Sequence, residues 1–510
     1  MLLKVVSVFM LVLSVSSYRI LVVFPAASRS HAILGNGYVK HLLDAGHEVT
    51  YLTTEPIKTP HPKLSQIDVG SIIQTIIFLE DMIDIKNIMK KTEVLSVVSL
   101  LMFTYTMAKK TILHENAQAL LHDTTQNFDV VIAEWMFNDL NVGFSGVFNC
   151  PYIISGSLDP HWTIMRLVDE ATNPAYTADM VSNSIPPFDF GQRVFELWHQ
   201  IKVRFSTLML APFENSVYNE AFGPAAAKRG HTLPPLGDAR YNASMILGNS
   251  MKPLSPAIRL PANYKEVGGY HIDSHNAPLP DNIKIAMDEA KHGVIYFSMG
   301  SNAKSKDMPD EMKSSLLKNF GELKQVVLWK FEEELEGLPK NVHILKWAPQ
   351  TSILGHPSCI LFISHGGLLS ITETIHFGVP IIGVPAFADQ FMNIDKAVVK
   401  GFALKVDLAV DMAEPLKRAI HKITSDKKYQ EKVKELSTIY HDRLVSPGAE
   451  LVHWVEHVVR TKGAPHLRSP ALMVPWYQKM YLDLILILVG LCSNKITIKK
   501  NKTILNSFIK

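Results

Sequence analysis

Cysteine is scarce in this chain of 510 residues: Cys150, Cys359 and Cys492 are the full set. Three thiols close at most one bridge, so the sequence carries no disulfide framework, even for an oxidising compartment. Charge is sparse too. Charged residues make up 19% of the chain and the formal net charge is +3. That balance excludes a phosphate-backbone binder and a disordered polyelectrolyte. A full membrane-spanning apolar run is also lacking near the C-terminus. Leu484 to Cys492 is apolar and Met480 to Leu482 extends it, but Asp483 interrupts the stretch, and a spanning helix wants about 20 apolar residues.

Hydrophobic residues account for 47% of the chain. At this length they exceed what one growing core accommodates, so two domains are expected. At the start, Lys4 precedes an apolar run from Val5 to Val15, followed by Ser16 and Ser17. This order is that of a cleaved signal peptide over residues 1–17. Asn242-Ala243-Ser244 is an N-glycosylation sequon, compatible with a lumenal body. At the far end, Lys495, Lys499, Lys500, Lys502 and Lys510 follow the short apolar segment. That polarity suits the cytoplasmic side of a membrane anchor over 484–492, with 493–510 as a basic tail.

Between the ends, short apolar runs alternate with helical patterns. Ile20–Phe24 reads as a strand, about Ala32 to Asp44 as a helix stopped by Gly46, and Glu48–Thr53 as a second, β-branched strand. This βαβ opening implies a parallel sheet with right-handed crossovers. Asp129–Ala133 and Pro151–Ser155 are further strands, and residues 70–122 are mostly helical and rich in Met, Ile and Leu. They fit either the lining of an apolar pocket or ordinary packing over the sheet. From Phe222 to Pro280 prolines accumulate, which suggests a domain junction. A second series follows: Gly293–Ser298, Val326–Lys330, Val342–Leu345, Ile360–Ser364, Val379–Val384 and Ala403–Val406, with helices such as Asp310–Phe320 and Ser370–Phe377 between them. The expected architecture is α/β, with two doubly wound domains facing each other across a cleft at the carboxyl ends of their strands. Residues 18–270 form the first, 280–455 the second, and 456–483 a helical juxtamembrane segment.

The strongest local signal lies in residues 347–393. Strand Ile360–Ser364 ends in His365-Gly366-Gly367, and a helix follows. Glycines let backbone approach an anion, and a helix N-terminus offers unpaired N–H groups and a favourable dipole. His365 and Ser370 add side-chain donors. Glu373, one turn on, could accept ribose hydroxyls; Trp347 offers a flat face to a base; Asp389 and Gln390 suit sugar hydroxyls.

The stretch WAPQTSILGHPSCILFISHGGLLSITETIHFGVPIIGVPAFADQFMN resembles the signature of the UDP-glycosyltransferases. That family includes animal UDP-glucuronosyltransferases, invertebrate UDP-glucosyltransferases and plant glucosyltransferases. The resemblance extends over almost the whole chain, and Leu368-Leu369-Ser370 after His-Gly-Gly is similar to invertebrate members. It implies a GT-B fold and a UDP-sugar, most readily UDP-glucose, as co-substrate, with no tightly bound cofactor and no metal. Carried over by motif, Trp347 would stack on uracil, Gln350 would bind the nucleoside and Glu373 the ribose. His365, Gly367 and Ser370 would contact the diphosphate, Ser301 would approach it from the facing loop, and Asp389 and Gln390 would position the sugar. Leu369 departs from the polar residue of plant members and removes one contact.

The same resemblance places a catalytic base at His31, in Phe24-Pro25-Ala26-Ala27-Ser28-Arg29-Ser30-His31, after the first strand and at the start of the next helix. A helix N-terminus disfavours imidazolium, which helps keep this base neutral. A carboxylate should orient it. Relatives have aspartate directly after the strand Asp129–Ala133; here the candidates are Glu134 and Asp139. The shorter acid suits a fixed dyad, which favours Asp139, with Glu134 as the alternative.

Rival chemistries fit poorly. Gly35-Asn36-Gly37 falls inside a predicted helix and lacks the third glycine of a dinucleotide fingerprint. His356, Cys359 and His365 lack a closing set of metal ligands. A non-catalytic sugar-binding protein on the same fold is the more serious alternative. The expected activity is inverting transfer of a hexose from a UDP-sugar to a hydroxyl of a small lipophilic acceptor such as a phenol, steroid or flavonoid. The expected place is the lumenal face of the endoplasmic reticulum membrane, with a soluble secretory-pathway or secreted protein as the alternative if the short C-terminal segment does not anchor; the expected role is detoxification or hormone or pigment conjugation.

Overall fold

The computed structural model describes residues 17–76, 85–89, 97–179, 182, 184–272, 278–301, 303–492 and 495. The signal-peptide segment and most of the basic tail fall outside the described residues, apart from Ser17 and Lys495.

Two all-parallel sheets organise the chain. In the first, β1 (Arg19–Phe24), β2 (Glu48–Thr53), β3 (Leu64–Asp68), β4 (Val130–Glu134), β5 (Tyr152–Gly156), β6 (Met245–Gly248) and β7 (Tyr264–Glu266) lie in the order β3-β2-β1-β4-β5-β6-β7. In the second, β8 (Val294–Ser298), β9 (Val326–Lys330), β10 (Val342–Leu345), β11 (Cys359–Ser364), β12 (Ile381–Gly383) and β13 (Ala403–Lys405) run β10-β9-β8-β11-β12-β13. The central strands are mostly apolar because helices cover both faces of each sheet: β1 is buried from Ile20 to Phe24, and β4, β5 and β8 along their whole length. Each sheet reverses its strand order once, between β1 and β4 and between β8 and β11. Loops leaving those pairs diverge and open a crevice at the strands' carboxyl ends.

The expected junction from Phe222 to Pro280 is largely first domain. Pro212 and Pro224 sit inside one 39-residue helix, Phe190–Lys228, opened by a capping box between Asp189 and Gln192. The other prolines flank β6 and β7, which at four and three residues are too short to set a readable period. The boundary expected at 455 also moves. Helix Pro447–Arg460 turns back onto the first domain, where Leu451, Val455 and Val458 pack with Ile20, Val22, Tyr38 and Leu42. Its amphipathic stripe found a face in the other domain, a choice that periodicity cannot express. The chain therefore crosses between domains twice.

Residues 482–492 are helical, with Leu484 to Val489 and Leu491 exposed. Among the described residues, no helix is long and apolar enough to cross a membrane.

Candidate active site

A cleft of about 2120 Å³ lies between the two crevices. Single-ligand pockets run to roughly 1,000 Å³, so this one has room for two. His31 and Trp135 line it from the first domain, Trp347, His365, Glu373 and Asp389 from the second.

His31 is the third residue of helix Arg29–Asp44, which follows β1. That helix lies unusually close to the sheet at Gly35, where an added Cβ would fall 2.3 Å from the Tyr51 hydroxyl and 2.9 Å from Phe24. This close approach requires Gly35, as the Tyr270 ring, 2.8 Å from an added Cβ, requires Gly37, and it brings the helix start within reach of β4. There the Nδ1 of His31 is hydrogen-bonded to the Oε1 of Glu134, the last residue of the strand, which also accepts a hydrogen bond from Ser157. Glu134 is fully buried, whereas the His31 side chain keeps 23% exposure towards the cleft. Burial is the largest single influence on His31 and lowers its pKa. The charge and hydrogen bond of Glu134, with the charge of Asp389, together outweigh it and raise the pKa above 6.5. The neutralising effect expected from the helix N-terminus is thus overridden by carboxylates.

Asp139 does not reach His31. Its carboxylate accepts from the Trp135 indole at 2.9 Å and pairs with Arg166 at 3.2 Å and Arg240 at 3.0 Å, and Arg240 pairs in turn with Glu214 at 2.7 Å. Two guanidiniums turned this shorter acid into the hub of a buried ion cluster, and the longer arm of Glu134 took the orienting position. Asp139→Asn should therefore cost about 3–5 kcal/mol, because it leaves buried cations short of a partner. Denaturant unfolding would measure that loss, and the pH dependence of turnover should not move.

Across the cleft, Pro349 opens the short helix Gln350–Leu354 beside helix Leu368–Phe377. The Gln350 amide donates to Glu373 Oε2 at 2.5 Å and to Ser370 Oγ at 3.1 Å, while its Oε1 accepts from Tyr296 at 3.2 Å. Gln350, Ser370 and Glu373 thus form one polar unit beside Trp347. Trp347 is 50% exposed, with the Arg29 guanidinium 3.7 Å from its ring centroid. His365 lies between two glycines: a Cβ on Gly300 or Gly367 would come within 2.6 Å of its ring. Gly300 also needs its φ of +85°. Burial, reinforced by the charge of Lys330, holds the His365 pKa down at about 4. It is therefore a neutral hydrogen-bond donor at physiological pH. Ser301 follows Gly300 on the facing loop after β8 and lines the same cleft.

Asp389 caps helix Gln390–Val399; burial raises its pKa, partly offset by a 2.7 Å hydrogen bond from Asn393. Gln390 turns its Oε1 back to the amides of Ala386 and Phe387, at 2.9 and 3.1 Å. Only its NH₂ end is left for a ligand. Leu369 packs against the first domain's cluster around Tyr38 and Tyr270, an interdomain contact in place of a polar one. Sequence reasoning missed Ser157, Arg29, Tyr296, Asn393 and also His271, whose Nε2 lies 3.5 Å from Glu373 Oε1. Asn393 stands one helical turn beyond Asp389 inside the 347–393 stretch, whereas Ser157, Arg29, Tyr296 and His271 each come from a segment distant in sequence from the group they contact.

The family described as "UDP-glucoronosyl and UDP-glucosyl transferase" matches residues 19–510. The chain belongs to the UDP-glycosyltransferase family. It is similar to UDP-glucosyltransferase 2 of Dactylopius coccus, with 33% identity covering 96% of this chain and 94% of that protein. It is also similar to human UDP-glucuronosyltransferase 2B7, with 28% identity covering 90% and 88%. Among solved structures it resembles the calicheamicin glycosyltransferase CalG4, at a TM-score of 0.57 and 16% identity, covering 88% of this chain and 100% of that one. A UDP-glucosyltransferase from Polygonum tinctorium gives 0.56 and 15%, covering 87% and 99%. These likenesses bear out the GT-B fold. For this UDP-glycosyltransferase, the motif of residues 347–393 is the wall built by the second sheet, and its enzymatic class is settled by the family.

Proposed function

We propose that this UDP-glycosyltransferase moves glucose from UDP-glucose to a hydroxyl of a small lipophilic acceptor, with inversion, and that His31 is the base. The observation that carries this reading is the imidazole of His31, fixed through Nδ1 by a buried carboxylate and open to the cleft on its other side. With Nδ1–H held by Glu134, Nε2 is the basic nitrogen. It takes the acceptor's proton as the oxygen attacks the anomeric carbon, and Glu134 stabilises the imidazolium so formed. The nucleoside side is read from Trp347 as a stacking face and Gln350–Glu373 as hydroxyl acceptor. Neutral His365, Ser301, Ser370 and the amides from Gly367 onward receive the diphosphate as it leaves.

Two features support a neutral hexose over glucuronate. The sugar end is lined by buried Asp389, which would repel a second carboxylate. Lys330, a cation of the cleft wall, is engaged by Glu332 and the Gly300 carbonyl, both at 2.8 Å. The acceptor side, with Met89, Phe103, Trp135, Phe137 and Ile164 on its wall, suits an apolar ring system. We also infer a lumenal, membrane-associated enzyme, supported by the signal-like residues 1–17 and the exposed apolar segment 484–492.

A panel of UDP-sugars run against mixed phenols, steroids and flavonoids, with products read by mass spectrometry, tests the reading. UDP-glucose should exceed UDP-glucuronate by about tenfold or more in kcat/KM, the scale set by an unpaired like charge in a desolvated site. Dominant glucuronide products would refute the donor assignment. Donor binding with no product from any acceptor would favour a non-catalytic binder.

A further inference from the structure

Outside the cleft, the first half of helix Phe190–Lys228 carries a stripe of exposed large apolar side chains. Phe190, Val194, Trp198, Ile201, Phe205 and Leu208 recur at spacings of three and four residues, and Phe205 and Leu208 are 63% and 69% exposed. The opposite face is the one that packs: Glu196, His199, Gln200 and Val203 are buried. Exposed charge on this stretch has a single sign. Arg193, Lys202 and Arg204 are exposed, while the only acid between 190 and 210, Glu196, is buried and held by Ser182 and the amide of Asp179. An apolar stripe flanked only by cations is the pattern of a helix lying in a lipid interface.

A second apolar element has no partner among the described residues. The helix over 482–492 is exposed on every side, with Leu486 at 71% and Leu488 at 59%. An isolated helix apolar all round has no face suited to water. The chain leading to it is tied down by Arg468, which donates to Asn242 Oδ1 at 2.8 Å and to the Tyr241 carbonyl at 3.0 Å, and by Ser469, bonded to Asp169. The long helix is tied to the same neighbourhood. Gln200 donates to the Thr172 carbonyl at 3.3 Å, and the Arg204 guanidinium lies 5.4 Å from the Trp162 ring centroid. The long helix and the chain that leads to the terminal helix are therefore both tied to residues 162–172.

We propose that residues 190–210 form a second membrane-contact element, lying in the plane of an anionic bilayer with the stripe from Phe190 to Leu208 in the acyl boundary. Arg193, Lys202 and Arg204 sit at headgroup level. The proposal takes its orientation from the membrane-associated reading of the C-terminal segment and adds to it a contact made by the catalytic body. Held at two places, the first domain cannot swivel freely about its tail, and the acceptor wall keeps a fixed attitude to the bilayer that dissolves a lipophilic acceptor.

Flotation of the full chain with phosphatidylcholine vesicles, with and without phosphatidylserine, tests this. The triple variant W198E/F205E/L208E should bind about tenfold or more weakly, since three apolar side chains leave the interface. Loss of phosphatidylserine should weaken the wild type by about fivefold per cation engaged, and R193E/K202E should blunt that dependence. Turnover of a water-soluble acceptor should be unchanged in both variants. The tail variant L486E/L488E separates the two readings. If it alone releases the protein and the helix variants bind like wild type, the helix proposal falls and the tail reading stands. If only the helix variants lose binding, the tail reading falls. A wild type that sediments as a dimer without vesicles, and a helix variant that sediments as a monomer with equal lipid binding, would assign the stripe to a second copy and overturn the proposal.

Discussion

Replacing His31 by alanine should lower turnover by about 10²–10⁴-fold, the usual worth of a positioned general base, with UDP-glucose affinity unchanged. The separation follows from the architecture. His31 stands on the crevice of the first sheet, whereas Gln350, Ser370 and Glu373 stand on elements of the second domain and are joined by hydrogen bonds from the Gln350 amide, with Trp347 in the same wall. Removing the imidazole leaves those bonds intact. Calorimetry for the donor and product assays for the acceptor read the two effects separately. A His31→Ala enzyme that still glycosylates at the wild-type rate would end the assignment of His31 as base, whatever its donor affinity.

Glu134→Gln is expected to cost on the order of 10²–10³-fold, because the amide can still orient Nδ1 but cannot stabilise an imidazolium. Its distinctive effect is on pH. In the wild type the His31 pKa is raised above 6.5, so the neutral base is lost as pH falls through a value above 6.5, and kcat/KM carries an acid limb there. Without the Glu134 charge and hydrogen bond, burial dominates and the limb should move to lower pH. The linkage sign is definite. A folded-state pKa above the unfolded one contributes stability that is fully present below pH 6.5 and lost as pH rises through the folded value. The variant should lose that contribution, so its deficit in unfolding free energy should be larger at pH 6 than at pH 9. A limb that stays in place would mean that a group other than His31 controls the profile.

The parts of this molecule that were legible in its sequence share one property: their determinants are contiguous. Strands β1, β4, β5, β8, β9 and β11 are each built on an unbroken apolar run of three to five residues. The His-Gly-Gly turn with its helix is a single local device, so its capacity to receive an anion is written in contiguous residues. What could not be read depends on pairing across distance. The contest between Glu134 and Asp139 was decided by Arg166 and Arg240, which lie 27 and about 100 residues beyond Asp139 and drew the shorter acid away. β6 and β7 hide among prolines because three or four residues cannot display a period. Helix Pro447–Arg460 advertises an apolar stripe without stating whose core it completes.

That last helix has a consequence for how the protein is made. Leu451, Val455 and Val458 close one face of the core formed by β1, β4 and the helix after β1, so the first domain cannot be finished until the ribosome has passed the second domain and delivered Val458. The usual order of synthesis, in which an N-terminal domain folds and is set aside, is not available here. The apolar surface of Ile20, Val22 and Leu42 must wait, partly uncovered, while the entire second domain is translated. During that interval it is a natural client for a chaperone, and a chain stopped near residue 446 would yield a complete second domain attached to an open first one.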